Sequence, residues 1–310
     1  MRKSIAFIFI AACCVMSQFA HAQMPDDGFT MSKGELCLVA AYQQTKWTEY
    51  WEGTRLRDNK NLGTFTSKAI MPMFGYGITN RINVFGGLPY IYNSSSTGTM
   101  QGKKGWQDLS LAVKYHALKK TKGKYTWNVF ATAGFSIPVS DYPPDFLPFS
   151  IGLGSKTAQL RVIGHVKHTS NFFLTAQTGY VFRSNIKVDR QTYYTDAQYY
   201  SNEMAIPNVW NGSLSAGYDN KHFRADVHYG WNNATSGSDM RRNDMPYPGN
   251  RMEMSAIGIT AKFWMPFVDG LAINAGADQV VSGRNAGKGF TWMAGLQFVF
   301  KPFNKKTHEK

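Results

Sequence analysis

The sequence predicts an all-β chain, an antiparallel transmembrane β-barrel of twelve strands. Three observations predict it. Stretches of about a dozen alternating residues recur along the chain, as barrel strands require. The gaps between them alternate short and long: 79–81, 119–124, 168–171, 220–221 and 266–270 against 51–61, 93–106, 139–155, 187–208 and 234–250, with a smaller gap at 283–288. The chain also opens on a secretory leader, and no later stretch has the ~18 apolar residues of a membrane helix.

In the leader, Arg2 and Lys3 supply positive charge and residues 4–16 are largely apolar. Ala20-His21-Ala22 is a small-x-small site, so cleavage before Gln23 is expected. Ile10-Ala11-Ala12-Cys13 resembles a lipobox, which leaves lipidation at Cys13 as a competing reading. The expected organisation is a signal peptide at 1–22, a short N-terminal periplasmic segment at 23–33, the barrel at 34–300, and a polar, basic tail at 301–310 on the periplasmic side. The segment at 23–33 could reach the lumen but is too short for a folded plug domain.

The twelve expected strands span about 35–50, 62–78, 82–92, 107–118, 124–138, 156–167, 172–186, 209–219, 222–233, 251–265, 271–282 and 289–300. An even number returns the chain to the side where it began; ten or fourteen strands would satisfy the same rule. Alternation is clearest in four places. Leu109, Leu111, Val113 and Tyr115 oppose Ser110, Ala112, Lys114 and His116. Leu160, Val162, Gly164 and Val166 oppose Gln159, Arg161, Ile163, His165 and Lys167. Phe223, Ala225, Val227, Tyr229 and Trp231 oppose Arg224, Asp226, His228, Gly230 and Asn232. In the last strand, Phe290, Trp292, Ala294, Leu296, Phe298 and Phe300 share one face. Successive side chains point to opposite faces, so each strand has one face suited to lipid and one more polar. A soluble sandwich also alternates, but its strands are shorter and its connections do not sort by length.

A mean hydropathy of −0.32 fits this class, because polar lumen residues dilute the apolar face. Aromatic residues make up 15% of the chain, enough for girdles at both membrane interfaces. The long gaps are rich in Gly, Pro, Asn, Asp and Ser, as turns require. Tyr193, Tyr194, Tyr199 and Tyr200 crowd one of them, where they read as an ordered loop rim or interface belt, with binding of an aromatic ligand or sugar as the competing role.

The net charge is +14, of which the leader carries two. Exported chains do not normally meet nucleic acid, so the expected partners are outer-membrane lipid and a small-molecule solute, with the basic residues dispersed near anionic head groups and an anion-selective lumen as the competing reading. Cys13 and Cys14 fall in the leader, leaving Cys37 alone. That excludes an intrachain disulfide and a cysteine-rich zinc site.

Charges facing lipid are costly, so charged strand residues should face the interior. Lys68, Lys114, Arg161, His165, Arg224, Asp226 and His228 are therefore the candidates for lining the lumen. For each of them, membership of an ion-pair and hydrogen-bond network filling a narrow barrel is the competing role. No cofactor, metal or catalytic residue is expected. His165 and His168 are three apart, and His116, His222 and His228 are scattered. Met71-Pro72-Met73 reads as strand packing. His168-Thr169-Ser170-Asn171 resembles the H-x-S-N motif of outer-membrane phospholipase A and lipid A deacylases, and a strand would place base and nucleophile on one side. Turn residues explain it without catalysis, and Phe172-Phe173 stands where such enzymes carry a small residue.

One stretch resembles a known family. Tyr76-Gly77-Ile78-Thr79-Asn80-Arg81 is followed by Gly86-Gly87-Leu88-Pro89-Tyr90, and then by Gly105-Trp106-Gln107-Asp108-Leu109-Ser110-Leu111-Ala112-Val113-Lys114-Tyr115. Over residues 73–134 the chain resembles the outer-membrane transporter family labelled "MetA-pathway of phenol degradation", with its Tyr-Gly turn, GLPY strand end and Asp…Lys-Tyr strand. The resemblance implies an outer-membrane channel for small aromatic or other hydrophobic compounds. In two respects the chain departs from related barrels: it continues past Phe300 into a tail, and it has no room for the N-terminal hatch of fatty-acid transporters. The expected function is passive passage of small solutes across the bacterial outer membrane. The alternatives are a non-conducting barrel whose long loops bind a partner or polysaccharide, and a lipid-modifying hydrolase.

Overall fold

The structure, a computed structural model, describes residues 24–194, 197–241 and 246–302. The leader, Cys13, Gln23 and residues 303–310 of the tail lie outside the described residues.

Twelve antiparallel strands close into a barrel. They are β1 (Leu36–Trp47), β2 (Phe65–Gly77), β3 (Ile82–Gly87, resuming as Tyr90–Ser95), β4 (Lys103–Trp106, resuming as Asp108–Lys122), β5 (Tyr125–Pro138) and β6 (Thr157–His168). The second half is β7 (Phe172–Arg183), β8 (Val209–Asp219), β9 (Phe223–Ala234), β10 (Glu253–Trp264), β11 (Leu271–Arg284) and β12 (Phe290–Phe300). Each strand pairs with its sequence neighbours, and β1 closes the ring by pairing with β12, Cys37 opposite Val299. Strand β3 breaks at Leu88-Pro89 because proline has no N–H to give the ladder. The Leu88 N–H still reaches the Pro72 carbonyl at 3.1 Å and the Pro89 carbonyl accepts from Gln107 at 2.9 Å, so the wall stays closed there.

The register sorts the faces. Leu160 and Val162 are 60% and 55% exposed on the outer wall, whereas Ile163 and His165 are buried inside. The barrel has no soluble protein's core; its outer apolar face is matched to lipid, and the packed interior sits in the lumen.

Three expectations are corrected. Lys68 pairs across with Gln44 and Tyr92 on the outer wall and is exposed, three residues from the start of β2. A lysine can stand there because its long stem carries the charge to the interface. The gap expected at 119–124 is much shorter, since β4 runs to Lys122 and β5 starts at Tyr125. Residues 24–31 lie inside the barrel and bond its inner wall, where the expectation was a periplasmic segment able at most to reach the lumen; Ser32 and Lys33 are exposed at its mouth.

The long connections fold back on themselves. Ile186–Lys187 pairs with Glu203–Met204, and Ile186, Val188, Met204 and Ile206 form a small buried cluster. Tyr193 and Tyr199 stack with centroids 5.1 Å apart and rings inclined by 9°.

Candidate functional site

The site is the lumen, and the N-terminal segment occupies the half nearer the short turns. Residues 24–27 form a turn in which the Met24 N–H donates to the Asp27 carboxylate at 2.8 Å. Lys114, fully buried on β4, donates to the Asp27 carboxylate at 2.8 Å and to the carbonyls of Asp27 at 2.6 Å and Met24 at 3.0 Å. An ammonium has three donors, and all three are used. Thr132 donates to the Pro25 carbonyl at 3.0 Å.

Phe29 packs against one side of the inner wall, on side chains from β6, β7 and β9. The Arg224 guanidinium lies 3.3 Å from its ring centroid, and the His165 and Phe173 rings lie 4.9 and 5.6 Å away. Met31 is fixed by the Asn83 side chain, which accepts from its N–H at 2.9 Å and donates to its carbonyl at 3.1 Å. Met31 then packs with Cys37, Phe85 and Val299. Two glycines permit this approach. A Cβ on Gly28 would stand 2.1 Å from His165 Nδ1, and one on Gly77 would stand 2.1 Å from the Ser32 carbonyl oxygen.

Above this segment the lumen opens into two chambers. The lower, about 320 Å³, has Met24, Pro25 and Asp26 for a floor and Val39, Met73, Phe85, Gln159 and Arg161 among its walls. The upper, about 430 Å³, lies beneath the loop between β5 and β6, with Ser67, Asp108, Ile151 and Arg183 in its lining. Both include Thr157. The loop folds inward: Phe149 is fully buried, its ring centroid 5.8 Å from that of Phe65, and its carbonyl accepts from the Asn93 amide at 3.1 Å. Tyr142 holds the loop by donating to Asp108 at 2.6 Å and accepting from the Gly154 N–H at 3.2 Å.

Of the seven residues expected in the lumen, six lie on the inner face, in three settings. Lys114, His165 and Arg224 hold the N-terminal segment. Arg224 also donates to Asp219 at 2.7 Å, and His165 Nδ1 is 2.8 Å from the Thr175 hydroxyl. Asp226 and His228 form a network with Asp278, in which His228 Nε2 is 2.7 Å from Asp278 and Thr260 donates to Asp226. Arg161 bonds Gln177, bonds Asn211 at 3.2 Å, and faces Asp26 at 3.6 Å. Sequence reasoning missed Asp27, Phe29, Met31 and Asn83. The Asp-Asp-Gly turn followed by an aromatic residue was a signal available before any strand.

His168 and Ser170 lie outside the lumen. Their Nδ1 and Oγ atoms are 2.5 Å apart at the end of β6, where His168 is half-buried and Ser170 exposed. Among the described residues no three His, Cys, Asp or Glu side chains gather as metal ligands.

Fold and site define an outer-membrane β-barrel channel whose N-terminal segment is bonded to the inner wall of the lumen. Its place is the bacterial outer membrane. The chain belongs to the family described as "Putative MetA-pathway of phenol degradation", whose model matches residues 26–294. No curated protein matches the sequence. Among solved structures, the COG4313 outer membrane channel from Pseudomonas putida F1 is similar with a TM-score of 0.68 at 15% identity, over 89% of this chain and 99% of that one. The NanC porin has a TM-score of 0.47 at 11% identity, over 85% of this chain and 98% of that one. The translocator domain of the autotransporter NalP from Neisseria meningitidis has a TM-score of 0.46 at 10% identity, over 88% and 90%.

Proposed function

We propose that this barrel passes small aromatic or other hydrophobic solutes that carry a polar or anionic group, and that residues 24–33 gate the path. The observation that carries the reading is the pair of chambers meeting at Thr157, with the segment's tip as their floor. Volumes of about 320 and 430 Å³ suit small molecules rather than oligosaccharides. The lower chamber sets Val39, Met73 and Phe85 against Arg161 and Gln159. Apolar walls with few polar groups bind an aromatic body and orient its polar substituent. Arg161 and Arg183 supply positive potential at the two levels, and attraction of this kind weakens as salt screens it. Lys114, His165 and Arg224 serve the gate, and Asp226 and His228 brace the wall opposite the path.

Liposome swelling with refolded protein tests the reading. Benzoate and phenol should enter faster than a neutral sugar of similar mass, and Arg161→Gln should narrow the difference for benzoate. Equal rates for all three solutes would remove the solute class. No flux of any solute, with the segment present or deleted, would remove the channel itself and favour a barrel that works through its loops.

A further inference from the structure

The β4–β5 hairpin is unlike the other short turns. From Ala117 to Lys122 every residue of β4 is exposed, so the hairpin extends past the packed lumen. Lys119, Lys120, Lys122 and Lys124 fall within six positions. Among the described residues none of the four forms an ion pair with a carboxylate. The register shifts between His116 and Leu118, after which Lys120 pairs with Trp127 and Lys122 with Tyr125. That shift puts Leu118, Lys120, Lys122, Tyr125 and Trp127 on the outer, lipid-side face. Leu118, Tyr125 and Trp127 are each about half exposed. Aromatic and apolar bodies beside lysines, on one face at the membrane boundary, match the two halves of a lipid: chain and charged head.

A second observation lies beside the hairpin. The outer wall carries a hollow of about 1060 Å³ lined by Tyr125, His168, Ser170, Phe172, Leu174 and Val227, among others. Its rim at the short-turn end is polar, where the Tyr125 ring lies 4.9 Å from that of His168 and the Lys124 carbonyl accepts from the Thr169 N–H at 2.9 Å. Farther up the wall it is apolar. The hairpin lysines therefore hang at the polar end of an acyl-sized groove.

We propose that the outer face of this hairpin and the adjoining groove form a binding site for an anionic phospholipid of the periplasmic leaflet. The acyl chains occupy the groove between Phe172, Leu174 and Val227. The phosphate sits among Lys120, Lys122, Lys124 and the His168–Ser170 pair. Because the lysines supply attraction that salt screens, head-group charge decides occupancy. This site is independent of any solute in the lumen.

Native mass spectrometry of the detergent-solubilised protein, titrated with phosphatidylglycerol or phosphatidylcholine, tests the site. Wild type should bind phosphatidylglycerol about tenfold more tightly, since each basic residue near a charged head group gives roughly a fivefold gain before screening. The K120Q/K122Q/K124Q variant should lose that preference, while K103Q/K104Q at the other end of β4 should keep it. Preference retained by the triple variant, or lost equally by K103Q/K104Q, overturns the proposal. So does selective binding of anionic peptidoglycan fragments with no lipid preference, which would make the hairpin a cell-wall contact. Folding is checked by heat-modifiable gel mobility. If the triple variant does not fold, K122Q alone should weaken the preference about twofold, one lysine's share of the screened tenfold, and a wild-type preference insensitive to salt contradicts the site.

Discussion

The ammonium of Lys114 and the carboxylate of Asp27 meet 2.8 Å apart inside the barrel, 87 residues apart in the chain. Lys114 is completely buried. Such a pair is expensive to break from one side, because the remaining charge stays buried and unpaired, at a cost of about 3–5 kcal/mol. Here the N-terminal segment can leave, so the penalty should appear as undocking rather than as unfolding of the barrel. Lys114→Ala and Asp27→Ala should each raise the open fraction in single-channel recordings. The double variant should do no more than either alone. Fully additive effects would mean that the two residues act separately.

Gly28 supplies a steric counterpart. A side chain there meets His165, which is itself held by Thr175. Gly28→Val should displace the segment while leaving the barrel folded, with more current and faster proteolysis of the N-terminus. Wild-type closure in Gly28→Val would show that the segment docks another way.

Arg161 and Val162 are adjacent, yet the register puts one inside and the other in lipid. Val162→Arg should destabilise the folded barrel by about 2–4 kcal/mol if it lies near the bilayer midplane. Arg161→Gln should fold normally. Urea unfolding in lipid vesicles measures both, and the reverse ranking would shift the register by one residue.

Tyr142 fastens the inward loop to Asp108. Burial first, and then the hydrogen bond to Asp108, raise its hydroxyl above the ordinary tyrosine value of 10.0. A raised value means that the neutral donor is favoured in the folded state. Its contribution is fully present below pH 10 and is lost only as the pH rises through the higher folded value. Tyr142→Phe should therefore speed protease cleavage of the loop between β5 and β6 at pH 8. Raising wild type from pH 8 to pH 10 should not. Loosening of wild type over that interval would mean that the latch titrates as an exposed tyrosine does.

The strands were legible because period-two alternation is local: Leu160 and Val162 against Arg161 and Ile163 announce a wall with two faces. The gap lengths gave the connectivity for the same reason. Lys68 escaped the pattern because a charge near a strand end can reach the interface from the lipid face, which alternation alone does not disclose. The hairpin at Lys119–Lys124 looked like a loop because lysines resemble turn composition, although their cross-strand partners Tyr125 and Trp127 continue the sheet. The site was less legible still. Asp27, Phe29 and Met31 owe their placement to Lys114, Arg224 and Asn83, which are 52 or more positions away, and no local rhythm encodes such a pairing.

Planar-bilayer conductance of the protein with and without residues 24–33 tests the central claim most directly. Removing the segment takes away the floor of the lower chamber, so the shortened barrel should conduct steadily where wild type stays mostly closed. Single-channel current should then respond to Arg161→Gln by losing preference for anions. Equal conductance with and without the segment, in barrels that both migrate as folded, would contradict the account.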